Sequence, residues 1–532
     1  MHKTAIAFSV GKLMQIMGLA LLAPLAIGVY DNRAGGWFAA AGHPDVYGFV
    51  LAVVLLVGLG SIAVRLFRGG RSLQGIKEGL AIVCIGWVIL TLFSCLPMFI
   101  WLKFGGGTPS YTWFAAFTDA YFEIMSGFTT TGATILADIE AAPRSILFLR
   151  ALTQWLGGMG IITLAIVVFP GLGVTAYQMF KSEVPGPSKD KLSPRLSQTT
   201  TILWSVYGLL TGILTAALWL GGMSLFEAVC HAFATLATGG FSTQNSSIAA
   251  YDSDFIRWVI IVFMWLGGVN FLLHYRALRG KLGPVFRDPE FKFYNGVIIA
   301  AVIVGTALLY LKGLAPLDDA MRSWRHSQPS EASFAAHYAQ QADYVTSLYR
   351  CFRMAAFQTV SIVTTTGFVT ADFDLWPDFL RFSLLLLMFF GGCAGSTAGG
   401  MKMVRIMIAA KASYNAIRKR TQPRLVMPVK VGKQVVDEAQ VNSVLAFFAL
   451  FTSLFVLTAL LMTLFVPDFV TAISVSIATI GNVGPGLAGI GVIEHYGWIP
   501  VPGKWILVAS MLLGRLEIFT VLVCLRPSVW RK

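Results

Sequence analysis

The sequence predicts an all-α polytopic membrane protein in which two N-terminal helices precede four repeats, each a helix, a re-entrant loop and a second helix. Hydrophobic residues make up 56% of the 532 residues and charged residues only 12%, whereas soluble proteins carry about 25% charged residues. About ten apolar stretches are long enough to cross a bilayer core of roughly 30 Å. A turn rich in Thr and Gly follows a short apolar segment four times.

The two N-terminal helices are predicted from apolar stretches at residues 14–29 and 50–66. No short apolar segment and no Thr/Gly-rich turn lies between them. Residues 1–70 are therefore predicted to form a peripheral pair of extra transmembrane helices outside the repeats.

Basic residues cluster in the loops 65–77, 181–195, 276–292 and 402–433, whereas the alternate loops are acidic. Cytoplasmic loops of membrane proteins carry an excess of Lys and Arg. This alternation predicts a multi-pass protein of a bacterial inner membrane with both termini in the cytoplasm. The net charge of +14 is thus explained by topology, and no nucleic-acid partner is expected.

The four turns recur at nearly regular spacing. The glycines taken as markers, Gly132, Gly239, Gly367 and Gly484, are 107, 128 and 117 residues apart. The segments before the turns are too short to span a membrane and too apolar for free loops, which is typical of re-entrant half-helices. Irregular backbone at membrane depth requires burial in protein or a water-filled cavity. Four such turns predict repeats around one pseudo-fourfold pore.

The repeats divide the chain at loops. The predicted units are the helix pair 1–70, repeat 1 at 71–180, repeat 2 at 196–280, repeat 3 at 290–412, a cytoplasmic basic loop at 413–435 and repeat 4 at 436–532. Repeat 3 contains a polar periplasmic insertion at 316–345, which explains the longest interval between markers, and a Gly-rich loop at 391–400.

The chemistry of these turns suits a dehydrated cation. Rings of backbone carbonyls replace the hydration shell of an ion in conducting filters, and glycine permits the positive φ angles that such turns need. A half-helix also directs its partly negative C-terminal end toward the turn. Small residues serve close helix packing in membranes as well, but four copies after four short segments favour a pore.

Several motifs resemble those of one family. They are the Thr-Thr-Thr-Gly turns at 129–132 and 364–367, the Thr-Gly-Gly-Phe-Ser-Thr run at 238–243, the Gly-rich run at 391–402, the Asn-Val-Gly-Pro-Gly turn at 482–486 and Gly-Arg-Leu-Glu at 514–517. From about Gly75 to Arg526 the chain is similar to the Trk/Ktr/HKT superfamily of potassium transporters, nearest its bacterial pore subunits.

The resemblance implies a filter that selects potassium at backbone carbonyls leading into the four glycines. The implied residues are Thr130, Thr131, Gly132, Ala237, Thr238, Gly239, Thr365, Thr366, Gly367, Asn482, Val483 and Gly484. The fourth turn departs from the Thr-x-Gly pattern, so that Gly481 competes with Gly484 for the marker position. Monovalent potassium is the one metal ion expected.

The Gly-rich run predicts a break in the second helix of repeat 3, because glycine costs about 1 kcal/mol relative to alanine in a helix. The break is either a hinge or, as the resemblance implies, a gate below the filter. The residues concerned are Gly391, Gly392, Gly395, Ser396, Thr397, Gly399 and Gly400. Lys402 either acts with this gate or begins the cytoplasmic face.

Arg515 lies in an apolar run, where a charge is unfavourable unless it faces protein or water. The resemblance assigns it a barrier role beside the gate, and the alternative is a structural ion pair. Glu517 is a poor partner because residues two apart on a helix point to different faces.

Four carboxylates lie near the starts of the half-helices, where they either cap a helix N-terminus or attract cations. They are Asp119, Glu123, Glu227 and Asp468. The lone histidines His231 and His274 are interpreted as packed side chains rather than proton relays.

The chain contains no nucleotide-binding motif, so no cofactor is expected in it. The resemblance implies a homodimer above a ring of soluble, TrkA-like, Rossmann-type regulatory subunits that bind a nucleotide, NAD or ATP/ADP. The basic loops would face those subunits or anionic lipids. An enzyme is not expected, because no catalytic cluster appears. The alternative function is a secondary transporter of another substrate, built on broken helices. The sequence is compatible both with symport of potassium with protons or sodium and with channel-like flow.

Overall fold

The structure is a computed structural model that describes residues 2–33, 43–72, 76–105, 112–168, 196–314, 338, 341–342, 345, 347–422, 427–432 and 434–530. Most of the predicted insertion at 316–345 and the predicted basic loop at 181–195 lie outside these residues. The described helices are α1 (Lys3–Ala20), α2 (Leu22–Asp31), α3 (Pro44–Leu66), α4 (Ile76–Ser94), α5 (Leu96–Phe104), α6 (Trp113–Phe128), α7 (Arg144–Val168), α8 (Leu196–Leu220), α9 (Leu225–Leu236), α10 (Asp254–Gly267), α11 (Phe271–Leu278), α12 (Gly283–Arg287), α13 (Pro289–Lys312), α14 (Leu348–Val363), α15 (Asp378–Leu387), α16 (Met403–Thr421), α17 (Glu438–Met462), α18 (Phe469–Ile480), α19 (Val501–Arg515), α20 (Phe519–Leu525) and α21 (Pro527–Trp530).

The N-terminal helices pack closely through glycine. A methyl group on Gly60 of α3 would lie 2.7 Å from the carbonyl oxygen of Gly11 in α1, so only small residues permit this approach. Asp45 of α3 accepts a 2.6 Å hydrogen bond from Ser145 of α7. The helix pair is thereby attached to the first repeat.

Each repeat contains a half-helix between two other helices. The half-helices α6, α9, α14 and α18 have 16, 12, 16 and 12 residues. At 1.5 Å per residue the longest measures about 24 Å, less than the roughly 30 Å of a hydrocarbon core. Residues 118–128 of α6 and 353–363 of α14 are all buried. The half-helices therefore end inside the protein, as the sequence predicted for re-entrant segments.

The second helix is interrupted in all four repeats. Helix α7 is broken at Gly160, where φ is 71° and ψ is 150°. Helices α10 and α11 meet at 107°, and α19 and α20 meet at 115°. In repeat 3 a loop separates α15 from α16. The sequence predicted only this last break, because no Gly-rich run as long as residues 391–400 marks the other three.

Six described helices are long and apolar enough to cross a membrane, or eight if each bent pair counts as one span. The chain is thus a multi-pass membrane protein. The sequence predicted about ten spans, and the two that are not among these eight are the second helices of repeats 1 and 3.

The basic segment predicted as a loop at 413–435 begins as a helix. Helix α16 continues to Thr421 and carries Arg418, Lys419 and Arg420 in its last turn, where cations interact favourably with the helix dipole. An antiparallel hairpin of β1 (Lys430–Val431) and β2 (Gln434–Val435) follows. The predicted boundary at residue 412 therefore falls inside a helix.

Candidate functional site: a ring of four turns

The four Thr/Gly-rich turns share one backbone conformation. The first residue after the end of each half-helix is right-handed, and the next is left-handed, with φ of 50° at Thr130, 53° at Thr238, 55° at Thr365 and 55° at Asn482. Two residues later a glycine also has positive φ, namely 80° at Gly132, 79° at Gly240, 80° at Gly367 and 97° at Gly484. L-residues rarely adopt such angles. The same unusual geometry therefore recurs in every repeat.

The register of the second turn differs from the predicted one. Gly240, and not Gly239, occupies the position of Gly132, because Gly240 has the positive φ angle. Gly239 takes the place of Thr131: its N–H bonds back to Ala234, as the N–H of Thr131 does to its own half-helix. The two adjacent glycines of this turn made the assignment from sequence ambiguous.

The fourth turn offered a choice between Gly481 and Gly484. Gly481 ends helix α18 with right-handed φ of −78°, whereas Gly484 has φ of 97°. Gly484 is thus the geometric equivalent of Gly132. Asn482 stands where the other turns have threonine, and asparagine tolerates the left-handed conformation better than most residues.

The turns contact one another in a closed ring. A methyl group added to Gly132 would overlap the carbonyl oxygen of Gly239 in the second turn. The same relation joins Gly240 to Thr366, Gly367 to Val483, and Gly484 to Thr131. Each turn therefore lies against the carbonyl at one equivalent position of the next turn, and the fourth closes on the first. Only glycine fits at these four contacts.

Side-chain hydroxyls brace two of the turns internally. The Oγ1 atoms of Thr129 and Thr131 are 2.8 Å apart, and those of Thr364 and Thr366 are also 2.8 Å apart. The fourth turn contacts the first, because Asn482 Nδ2 donates to Thr131 Oγ1 at 3.0 Å. The backbone of the ring is thus held by buried polar contacts.

Two cavities lie near the ring. One is lined by the four positive-φ glycines and by the extended segments that follow them. The other is lined by the Gly-rich loop, by Gly160 and by Arg515. The breaks in the second helices therefore open onto the second cavity, which we call the inner cavity.

The Gly-rich loop between α15 and α16 lies against the turns. Thr397 Oγ1 donates to the carbonyl oxygen of Leu236 at 2.9 Å, at the end of half-helix α9. The N–H of Gly399 donates to Thr365 Oγ1 at 2.7 Å. The loop is thus hydrogen-bonded to two of the four turns. Of the predicted gate residues, those that line the inner cavity are Gly395, Ser396, Thr397, Gly399, Gly400, Lys402 and Arg515.

Backbone hydrogen bonds join the two ends of the Gly-rich loop. The N–H of Gly391 donates to the carbonyl oxygen of Met401 at 2.8 Å, and Met403 donates to Gly392 at 3.2 Å. Gly391 and Gly392, where the loop begins, are therefore hydrogen-bonded to Met401 and Met403, where it ends.

Arg515 bridges two repeats across the inner cavity. Its Nη1 donates to the carbonyl oxygen of Thr397 at 2.7 Å, and its Nη2 donates to that of Gly157 at 2.8 Å. Lys402 Nζ donates to the carbonyl oxygen of Ala398 at 2.5 Å. Both cations thus bind the loop, and both face the same cavity.

Two of the four half-helix carboxylates cap their helices. Asp468 accepts a hydrogen bond from the N–H of Thr471 at 2.8 Å. Glu227 forms a capping box with Ser224 at the start of α9. These two positions follow the capping alternative.

The other two carboxylates lie in the interior of α6 and form buried ion pairs. Glu123 contacts Arg150 at 2.7 Å, and Asp119 contacts Lys504 at 2.6 Å. The sequence reading overlooked Arg150 and Lys504. Arg150 lies within an apolar stretch, where a charge is as unfavourable as at Arg515, whereas Lys504 directly precedes one.

Both lone histidines are held by hydrogen bonds in the packed interior. The ring nitrogens of His231 lie 2.8 Å from the carbonyl oxygen of Glu227 and 2.9 Å from Ser242 Oγ. His274 Nε2 lies 2.9 Å from the carbonyl oxygen of Leu266. In the described part of the chain, no three His, Cys, Asp or Glu side chains converge as a metal site.

The chain is similar in sequence to known membrane transport proteins. A family model described as TrkH, a cation transport protein, matches residues 98–532. The chain is 36% identical over 535 residues to the Trk system potassium uptake protein TrkH of Escherichia coli strain K12, with 100% of both chains covered. It is 30% identical to the Trk system potassium uptake protein TrkG of the same strain, with 100% of this chain and 99% of that protein covered.

A solved structure matches over the same length. The crystal structure of the potassium transporter TrkH from Vibrio parahaemolyticus superposes with a TM-score of 0.80 and 34% sequence identity. The match covers 100% of both chains. The fold of broken helices and half-helices is therefore that of a known transporter.

Proposed function

Because the chain belongs to the TrkH family of cation transport proteins, we propose that it takes up potassium across a bacterial inner membrane, with both termini in the cytoplasm. The observation that carries this proposal is the closed ring of four turns with one backbone geometry. Relatives that share 30% to 36% of the sequence over the whole chain are named potassium uptake proteins.

The ring supplies what a dehydrated potassium ion requires. Backbone carbonyls in rings replace the hydration shell, and four half-helices end at the ring, so that their negative dipole ends favour a cation. The proposed filter comprises Thr130, Thr131, Gly132, Thr238, Gly239, Gly240, Thr365, Thr366, Gly367, Asn482, Val483 and Gly484. Ala237 of the predicted set is replaced by Gly240, because Ala237 only ends its half-helix.

The Gly-rich loop and Arg515 are the proposed gate. The loop lies against the ring through Thr397 and Gly399 and lines the inner cavity. The guanidinium of Arg515 places a positive charge at that cavity and holds the loop at Thr397. A potassium ion that has passed the ring meets both a steric and an electrostatic barrier until the loop moves.

Control of this gate is assigned to a separate soluble nucleotide-binding subunit beneath a homodimer. Helix α16 supports this assignment because it starts at the gate loop and ends in three consecutive basic residues, Arg418 to Arg420. A partner that binds the basic end of α16 could pull on the loop through a continuous helix. Anionic lipid headgroups are the competing ligands for these residues.

The test is rubidium uptake into cells that lack their own potassium uptake systems. The intact protein, expressed with its soluble partner, is expected to restore uptake, and Gly132→Ser is expected to abolish it or admit sodium, since a side chain at Gly132 overlaps the Gly239 carbonyl. Arg515→Ala is expected to alter the rate. If the intact protein moves neither rubidium nor sodium, the proposal fails and a transporter of another substrate becomes the better hypothesis.

A further inference from the structure

The second turn lacks the hydroxyl pair that braces the first and third turns. Thr129 and Thr131 in the first turn, and their equivalents in the third, share a hydrogen bond of 2.8 Å. The corresponding residues of the second turn are Ala237 and Gly239, which carry no hydroxyl. This turn therefore needs another brace if it is to hold the same shape.

Gln154 of helix α7 supplies that brace from the neighbouring repeat. Its Nε2 donates to the carbonyl oxygen of Gly239 at 2.6 Å. Its Oε1 accepts from the N–H of Phe241 at 3.1 Å. The side chain is completely buried, with 0% exposure. One amide thus binds the turn on both sides of Gly240, the glycine with positive φ.

Gln154 also occupies the space that a side chain at Gly239 would need. A methyl group on Gly239 would lie 2.5 Å from Cδ and 2.7 Å from Oε1 of Gln154. Gly239 is not among the residues with positive φ, so its backbone alone would accept a side chain. The glycine and the glutamine are therefore complementary.

Equivalent positions in two other repeats carry no polar side chain. Gly157 of α7 lies over the carbonyl oxygen of Phe128, and Gly514 of α19 lies over that of Ile480 in the same way. Three residues before these glycines stand Gln154 and Met511. Gly267 of α10 approaches the carbonyl oxygen of Leu236 at 3.5 Å, and Met264 stands three residues before it. Of the two turns without the hydroxyl pair, the second has this amide beside it, and the fourth is bound to the first turn through Asn482 and Thr131 Oγ1.

We propose that Gln154 is a specificity-determining positioning residue, which fixes the carbonyl of Gly239 in the ring by replacing the missing hydroxyl pair. This inference rests on the proposed potassium filter. The carbonyl of Gly239 stands at the ring position shared with Thr131, Thr366 and Val483. A turn that loses its brace relaxes, and a relaxed turn discriminates less between ions of different radius.

The test compares ion discrimination rather than activity alone. Rubidium uptake is measured against competing sodium for the intact protein, for Gln154→Met and for the control Met264→Leu, together with the amount of protein in the membrane. Gln154→Met is expected to lower discrimination against sodium about tenfold, the effect of losing one to two hydrogen bonds. Met264→Leu is expected to leave it unchanged.

A rescue variant separates bracing from packing. The triple variant Gln154→Ala, Ala237→Thr, Gly239→Thr transplants the hydroxyl pair into the second turn and removes the side chain that would collide with it. The triple variant is expected to recover the discrimination against sodium that Gln154→Ala loses. Gly239→Thr alone is expected to lose it, because its side chain collides with Gln154. Unchanged discrimination in Gln154→Met, with rubidium uptake intact, overturns the inference and spares the proposed function. An intact protein that transports no ion overturns both.

Discussion

Arg515 donates a hydrogen bond of 2.7 Å from its Nη1 to the carbonyl oxygen of Thr397, and thereby joins the last repeat to the Gly-rich loop of the third. A second bond runs from its Nη2 to Gly157 in the first repeat. One guanidinium thus joins its own repeat to two others around the inner cavity. The planar group suits this role, because it presents several donors in fixed directions.

Removal of this cation is expected to increase ion flux. In Arg515→Gln the loop loses a charged donor and the cavity loses a positive charge. At an effective dielectric constant of about 20, a unit charge roughly 8 Å away repels a cation by about 2 kcal/mol, so an increase of about thirtyfold in rubidium flux is expected in liposomes. The exposed Arg526→Gln serves as the control with unchanged flux. A lower flux in Arg515→Gln, at equal protein content, would contradict the barrier role.

The loop contact of Thr397 provides a second test of the gate. Thr397→Val keeps the shape of the side chain but removes the hydroxyl that donates to Leu236 and Gly267. One buried hydrogen bond contributes about 1 kcal/mol, so the population of displaced loop, and with it basal flux, is expected to rise about fivefold.

The matched control for this hydroxyl is Thr306→Val. Its Oγ1 donates to a carbonyl oxygen within helix α13, away from the loop. Flux is expected to stay constant in this variant. Equal flux in the two variants, measured with the same liposomes, would show that the Thr397 contact does not restrain the gate.

The four-repeat architecture followed from sequence because half-helices are short, apolar and followed by Thr and Gly. Helix breaks at Gly160 and near Glu517 did not follow, because neither lies in a long Gly-rich run and no proline marks them. The break at Glu517 depends on tertiary contacts, including its ion pair with Arg405. Local propensity is routinely overridden by such contacts.

The candidate site was predictable to within one residue in the second turn. The sequence does not show which of the adjacent glycines, Gly239 or Gly240, is equivalent to Gly132, and only the backbone angles distinguish them. Gln154 was missed because it is neither charged nor part of a turn motif. Its role depends on a neighbour in the ring, and a single sequence does not record which turn faces which helix.

The buried pair of Lys504 and Asp119 is expected to be a strong determinant of stability. It joins the fourth repeat to the first, with side chains exposed by only 4% and 2%. Removal of one partner leaves a buried charge uncompensated, which costs about 3–5 kcal/mol. Lys504→Met is therefore expected to lower the free energy of unfolding by about that amount in detergent, and Lys504→Met/Asp119→Leu by less.

The comparison for this pair is Arg144 with Asp31, which are 4.0 Å apart with exposed fractions of 62% and 30%. Exposed pairs contribute about 0–1 kcal/mol. Arg144→Gln is thus expected to leave the unfolding free energy almost unchanged. Equal losses for Lys504→Met and Arg144→Gln would refute the assignment of the buried pair.

Asp374, in the loop that follows the third turn, is expected to make stability depend on pH. Burial, and next the charge of Asp372, raise the pKa of its carboxyl to about 7 from a usual value of 3.8, against the opposing effect of Arg381. Between these two values the folded protein retains a proton that the unfolded chain releases. The unfolding free energy contributed by this group therefore falls as pH rises from about 4 to about 7, and is constant above that.

Asp374→Asn removes this titration, and its carboxamide oxygen can still accept the N–H of Ala488, which Asp374 binds at 3.0 Å. The decline in melting temperature between pH 5 and pH 8 is expected to be smaller in Asp374→Asn than in the unaltered protein. Asp378→Asn, at a side chain with 94% exposure that also contacts Arg381, is the control and is expected to keep the full decline. If the melting temperature declines equally with pH in all three proteins, the pKa of Asp374 is not raised by folding, and the prediction is wrong.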